Sequence, residues 1–173
     1  MMIRKLLPLL FTLLTVAALA QEKREVTTLI LVRHAEKADD GTKDPPLSEA
    51  GKERTRALVN LLRETPVDVI YTTPYNRTRE TVAPLAILKG KTLREYKPHD
   101  WDELQKIIKE NKGKTIVMAG HSNTTPWVAR VLTGNDYPDW KDDDYNNVLI
   151  VSVVGEREAN VVWLTYGDEI PGK

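Results

Sequence analysis

Short apolar stretches rich in β-branched residues alternate along the chain with segments whose apolar positions recur at helical spacing. Val26 to Val32 reads as a strand, and Leu29 to Val32 forms the continuous apolar run of a strand covered on both faces. A polar loop, Ala38 to Pro46, follows. Ser48 has the chemistry of a helix N-cap and Glu49 suits the helix's positive end. Ala57, Leu58, Leu61 and Leu62 carry that helix to about Arg63. Gly51 is tolerable only near its start. Val67 to Tyr71 is a second strand. Asn76 to Leu88 has helical spacing in Thr81, Leu85 and Leu88, and Pro84 inside it predicts a kink or an early end. Thr92 to Tyr96 reads as a third strand. Asp100 or Trp101 opens a helix through Leu104, Ile107 and Ile108, closed near Asn111 and Gly113. Thr115 to Ala119 is a fourth strand. Pro126 suits the first turn of a helix through Val128, Val131 and Leu132 that ends at Gly134. Val148 to Val154 and Asn160 to Thr165 flank Gly155-Glu156-Arg157-Glu158, which reads as a hairpin.

This alternation predicts an α/β fold: a three-layer sandwich with a mostly parallel central sheet, helices on both faces and an antiparallel C-terminal hairpin. The length after residue 20 is that of one domain, 21–173, with no internal repeat. The first twenty residues have a different character. Arg4 and Lys5 precede an apolar run, Leu6 to Ala20, that closes on Ala18-Leu19-Ala20. Basic start, apolar middle and small-residue end are the pattern of a secretory signal peptide, 1–20, with cleavage before Gln21. The run is short for a membrane span, so no stable span is expected after cleavage, and the product is expected in the periplasm or outside the cell.

Charge narrows the partners. Without Arg4 and Lys5, 23 of the 25 basic residues remain against 25 acidic ones. A near-neutral surface argues against nucleic acid, while leaving room for a small basic pocket. The absence of cysteine removes disulfides, thiolate metal sites and a cysteine nucleophile.

Two predicted strands end in histidine: Leu29 to Val32 runs into Arg33-His34, and Ile116 to Gly120 runs into His121. A doubly wound sheet binds its ligands beyond the carboxyl ends of its strands. Histidine is a candidate nucleophile and arginine a natural phosphate clamp. A single histidine after a strand is more often structural, so the weight falls on the ordered set of motifs.

Leu31-Val32-Arg33-His34-Ala35-Glu36-Lys37 resembles the strand-to-loop signature of the histidine phosphatase superfamily, the phosphoglycerate-mutase-like proteins. Pro46-Leu47-Ser48-Glu49-Ala50-Gly51 is similar to that family's Leu-Ser/Thr-x-x-Gly helix start. Tyr71-Thr72-Thr73-Pro74-Tyr75-Asn76-Arg77-Thr78-Arg79-Glu80-Thr81 is similar to its Ser-Ser-Pro-Leu-x-Arg-Ala-x-x-Thr segment, and Gly120-His121-Ser122-Asn123 to its Gly-His segment. Together these cover most of Val26 to Leu132, in the family's order. The resemblance implies a small single-domain member akin to phosphohistidine phosphatases, with no metal and no cofactor. His34 would be the nucleophile, and Arg33, Arg77 and His121 would complete a phosphate pocket. The family spacing selects Arg77 over Arg79. Fixed cations at phosphoryl oxygens stabilise charge that persists in the transition state, and nearby arginines help keep His34 neutral and nucleophilic.

The proton donor to the leaving group is the weaker part of the pattern. Glu95, in Leu93-Arg94-Glu95, resembles a common Leu-x-Glu arrangement and ranks first. Asp100 follows, though with Glu103 three residues on it also reads as an N-cap. His99 and Asp102 lie in the same segment. Glu36 and Lys37 are candidate substrate contacts, and Asn123 either binds phosphate or caps the next helix. The resemblance implies a phosphatase that hydrolyses a small phosphomonoester or phosphoramidate through a phosphohistidine, a hydrolase and not a mutase because the lid-sized insertion of larger mutases is absent, and the signal pattern of residues 1–20 makes it an exported one. One alternative is a catalytically weak phosphate-binding module on the same fold. Another is a metal-dependent hydrolase using His34, His99 and His121, which lack close metal-ligand spacing. Lys141 to Asn147 is acidic but lacks the glycine and distal glutamate of a calcium loop. It reads as a solvated loop, with Tyr145 at the pocket's border. The four tryptophans, Trp101, Trp127, Trp140 and Trp163, read as core or rim packing.

Overall fold

The computed structural model describes residues 25–155 and 158–167. The expected signal segment, 1–20, and Glu156 and Arg157 of the expected hairpin turn lie outside the described residues. In chain order the elements are β1 (Val26–Arg33), α1 (Glu49–Leu61), β2 (Val69–Thr72), α2 (Asn76–Lys89) and β3 (Leu93–Glu95). They continue with α3 (Trp101–Glu110), β4 (Thr115–Gly120), α4 (Thr124–Thr133), β5 (Asn147–Val154) and β6 (Glu158–Thr165).

The strands form one six-stranded sheet in the order β3-β2-β4-β1-β5-β6. β3, β2, β4 and β1 run parallel, while β5 pairs antiparallel with both β1 and β6. The fold is therefore the predicted α/β sandwich, with a parallel core and an antiparallel C-terminal hairpin. Strand alternation sends neighbouring side chains to opposite faces, so the inner strands feed two cores. Leu29, Leu31, Ile116 and Met118 pack against Leu104 and Ile107 of α3 and Val128 and Ala129 of α4. Ile30, Val32, Val117 and Ala119 pack against Leu58 of α1 and Val82, Leu85 and Ala86 of α2. The two central strands are thus covered on both sides, as their unbroken apolar sequences require.

Local chemistry sets the helix ends. The Ser48 side chain accepts from the Gly51 N–H at the start of α1, and the Asp100 side chain accepts from Glu103 N–H at the start of α3. Gly90 and Gly134 close α2 and α4 in the left-handed conformation. The early end predicted at Pro84 does not occur, and α2 runs on to Lys89. Pro84 lies on the exposed face of α2, where the carbonyl that loses its helical partner is on the solvent side. Gly51 has a second reason to be glycine, since a β-carbon there would stand 2.2 Å from the Glu36 carbonyl oxygen. That contact presses α1 against the loop that follows β1.

Candidate active site

The register of the two central strands builds the centre of the site. Arg33 at the end of β1 pairs with Gly120 at the end of β4. The His34 N–H continues the ladder by donating to the Gly120 carbonyl at 2.9 Å. His34 and His121 therefore leave the sheet side by side, with ring centroids 5.4 Å apart in an edge-to-face arrangement. The turn after β4 is tight. A β-carbon on Gly120 would meet Thr124 Oγ1 at 2.6 Å and Tyr96 Oη at 2.8 Å, while the His121 N–H donates to Thr124 Oγ1 at 2.7 Å.

His34 is held in one tautomer. Its Nδ1 lies 2.8 Å from the carbonyl oxygen of Ala35, which can only accept, so the proton resides on Nδ1 and the Nε2 lone pair is free. The following residue is itself fixed, because the Ala35 N–H donates to Thr81 Oγ1 of α2 at 2.9 Å. His34 is 5% exposed. Burial, against the opposing hydrogen bond to Ala35 and reinforced by Arg33, His121 and Arg77, pushes its pKa down to about 3. At neutral pH it is an uncharged ring with an unshared pair on Nε2.

Arg33 is locked from the opposite direction. Its Nη1 donates to the carbonyls of Lys141 at 2.6 Å and Asp144 at 3.1 Å. Its guanidinium lies 4.2 Å from the centre of the Tyr145 ring. Burial lowers its pKa, opposed by Tyr145 and the carboxylates of Asp142 and Asp143, yet a guanidinium stays charged under any ordinary condition. The buried Nε finds no protein partner. The segment expected to be a solvated loop is exposed at Lys141, Asp142 and Asp143, and its carbonyls also orient Arg33, because they are the acceptors this buried cation requires.

Arg77 stands on the first turn of α2, above the Tyr75 ring at 4.5 Å and 3.3 Å from Asp44 Oδ1. The same Asp44 carboxylate accepts from the Asn76 N–H at 3.0 and 3.1 Å, which caps a helix whose N-cap residue, Tyr75, makes no side-chain cap. His121 Nε2 lies 3.0 Å from Thr73 Oγ1, which lies 2.9 Å from Thr78 Oγ1. Burial and the arginines Arg77 and Arg33 lower the His121 pKa to about 4.

A cavity of about 330 Å³ opens onto these groups. Arg33, His34, Arg77 and His121 line it together with Lys37, Lys43, Ser122, Asp142 and Tyr145. A second lobe of about 460 Å³ shares Arg77 and His121 and adds Tyr75, Pro98, His99, Asn123 and Thr124. The four residues the sequence picked for the phosphate pocket are thus brought together, and Lys37 reaches the same cavity.

The others part company. Glu36 turns away and pairs with the nearly buried Arg54, at 2.6 Å to Nη2. Glu95 is not brought to the cavity. It sits exposed at the end of edge strand β3 in an ion pair with Arg79, and that cation, not the cavity, takes its carboxylate. Asp100 is the N-cap of α3 and also pairs with Lys97. Asn123 occupies the N-cap position of α4 without a side-chain cap and borders the second lobe. Thr73, Thr78, Asp44 and Arg54 act on the site without having been singled out. The Thr-Thr step of Tyr71-Thr72-Thr73-Pro74 carried the only trace of the first, as buried polar residues at the end of an apolar strand. Among the described residues no three histidine or acidic side chains converge to hold a metal.

Residues 29–106 match the sequence model of the histidine phosphatase superfamily, branch 1. The chain is thus similar to that superfamily over this stretch, which holds Arg33, His34 and Arg77. Phosphoserine phosphatase 1 of Hydrogenobacter thermophilus is 42% identical to it over 68 residues, a stretch that is 36% of this chain and 32% of that enzyme. The chain thus matches about a third of that relative's length. In three dimensions it is similar to the protein histidine phosphatase SixA complexed with tungstate, with TM-score 0.63 and 13% identity, over 80% of this chain and 96% of that one. It is also similar to a phosphoserine phosphatase of Entamoeba histolytica in complex with phosphoserine, with TM-score 0.60 and 15% identity, over 81% of this chain and 96% of that one. At these identities the two structures speak for the fold.

Proposed function

We propose that this chain is a member of the histidine phosphatase superfamily, and a phosphatase that hydrolyses a small phosphorylated substrate through a covalent phosphohistidine on His34. One observation carries the reading: the bond from His34 Nδ1 to the Ala35 carbonyl leaves Nε2 as a lone pair at the floor of a cavity ringed by Arg33, Arg77 and His121. Phosphoryl transfer asks for a positioned nucleophile and for fixed positive charge on the non-bridging oxygens. In the first step the Nε2 pair forms a bond to phosphorus as the bond to the leaving oxygen breaks. In the second, water displaces His34 from phosphorus and inorganic phosphate departs. No metal enters this scheme. The leader-like segment 1–20 supports export, and a tag-free preparation from the periplasmic fraction beginning at Gln21 is the outcome expected on N-terminal sequencing.

The test is hydrolysis of p-nitrophenyl phosphate by the chain from Gln21, with and without EDTA, beside His34→Ala. The expected result is turnover that EDTA leaves intact and His34→Ala abolishes, with acid-labile phosphate on the wild-type protein after quenching. Turnover that survives in His34→Ala removes His34 as the nucleophile. Tight orthophosphate binding without turnover leaves a phosphate-binding module in its place.

A further inference from the structure

The two lobes of the cleft differ in one decisive respect. Both include Arg77 and His121, but His34 lines only the first. Displacement at phosphorus runs in line, with the attacking and leaving atoms on opposite sides. A phosphoryl group held by Arg33, Arg77 and His121 with His34 on one side therefore presents its leaving oxygen to the lobe that His34 does not reach. That second lobe is the leaving-group chamber, and its wall contains one further imidazole, His99.

His99 is built into place. Among the described residues it is the one non-glycine residue with positive φ, at 60°. For a residue with a β-carbon that conformation is uncommon and strained. The ring is fixed as well, stacked on Trp127 with centroids 5.2 Å apart and planes 22° from parallel. The neighbouring acids are engaged elsewhere: Glu95 in the ion pair with Arg79, Asp100 as the cap of α3.

We propose that His99 is the proton donor to the leaving oxygen, acting from the second lobe. This rests on the phosphohistidine reading above. In the first step the His34 Nε2 pair bonds to phosphorus and the ester P–O bond breaks. Its electron pair stays on the leaving oxygen, which takes a proton from the His99 imidazolium and leaves as an alcohol. In the second step neutral His99 accepts a proton from the attacking water, the P–N bond breaks, and its electron pair returns to His34. Protons balance over the cycle. His99 is then a catalytic residue for poor leaving groups and dispensable for good ones, because a leaving group that is stable as an anion needs no proton.

The experiment compares kcat/KM for p-nitrophenyl phosphate, phenyl phosphate and glycerol phosphate in wild type, His99→Asn and His99→Gly. Asparagine and glycine both accept positive φ, so neither is unfolded by backbone strain. The expected result is p-nitrophenyl phosphate within about threefold of wild type and glycerol phosphate lower by about 100-fold. Added imidazole should restore glycerol phosphate turnover in His99→Gly, where the missing ring leaves room beside Trp127. An equal loss across all three esters, or no loss on any, overturns His99 as the donor while leaving His34 untouched. A wild-type protein that turns over none of them overturns the phosphohistidine reading together with this one.

Discussion

Thr73 decides which nitrogen of His121 carries its proton. Thr78 has one hydroxyl proton and lies within 3.0 Å of two carbonyls, those of Thr73 and Tyr75, which can only accept. With its proton given to a carbonyl, Thr78 Oγ1 must accept from Thr73 Oγ1, and Thr73 Oγ1 must accept from His121 Nε2 at 3.0 Å. The relay leaves neutral His121 with a bare Nδ1. A phosphate dianion therefore gains an imidazole donor only by protonating His121, which its own charge favours. Thr73→Val keeps the shape and removes the relay. The expected loss in kcat/KM is about tenfold, the worth of one hydrogen bond, and long-range proton–nitrogen NMR should show His121 shifting from a single tautomer to a mixture.

His34 makes the fold sensitive to acid. Its pKa is about 3 in the folded chain against an ordinary 6.5. Between those values the unfolded chain binds a proton that the folded chain refuses. Stability thus falls as pH drops below 6.5, and the loss continues to about pH 3. At pH 5 the His34 share is about 2 kcal/mol. His34→Asn should remove that share, so urea denaturation at pH 7 and pH 5 should show a smaller acid loss in the variant. Equal losses in the two proteins would locate the acid sensitivity elsewhere.

Tyr145 and Arg33 form a stacked pair that shapes the phosphate side of the cavity. Tyr145→Phe keeps the ring and should leave inorganic phosphate inhibition within twofold. Tyr145→Ala removes it, frees the guanidinium, and should raise the inhibition constant about fivefold, in line with a partly buried cation–π contact.

Glu95 is the residue on which sequence and structure diverge most. Its ion pair with Arg79 has side chains 55% and 42% exposed, and exposed pairs contribute little. Glu95→Gln should keep kcat/KM within twofold and unfolding free energy within about 0.5 kcal/mol. A loss of 100-fold would return it to the role its Leu-x-Glu context implied.

Gly51→Ala tests how closely α1 is pressed to the catalytic loop. The new β-carbon would meet a backbone oxygen at 2.2 Å, which no rotamer change relieves, and the expected cost is about 3 kcal/mol. Thermal unfolding against Gly41→Ala separates contact from conformation, since Gly41 has positive φ but open space around it.

What the sequence made legible was whatever is set by local pattern. Apolar runs placed β1 and β4, Ser48 and Gly134 marked helix ends, and the fourfold motif order picked out Arg33, His34, Arg77 and His121. Less legible was what depends on contacts across the chain. Glu36 and Lys37 are adjacent, yet one faces Arg54 and the other the cavity, a split that only the packing of α1 determines. The Lys141 to Asn147 segment reads as solvated, and Lys141, Asp142 and Asp143 are exposed, but its contribution to Arg33 is made by carbonyls, which every residue possesses. His99 gave no sequence sign of positive φ, since such strain is imposed by surroundings.

The strand order assigns the two halves of the reaction to different kinds of structure. On the proposed mechanism, Arg33, His34 and His121 act at the ends of β1 and β4, the middle of the sheet, where each strand is paired on both sides, and Arg77 acts from the first turn of α2. The second lobe, the leaving-group chamber of that proposal, is walled largely by connecting segments, Tyr75 before α2 and Pro98 and His99 before α3. On that proposal, insertions or substitutions around Pro98 and His99 should alter what is accepted while leaving His34 and its strand-end partners in place. A scaffold partitioned in this way can acquire new substrates by drift in its connections, because the part that must stay within a fraction of an ångström is not the part exposed to change.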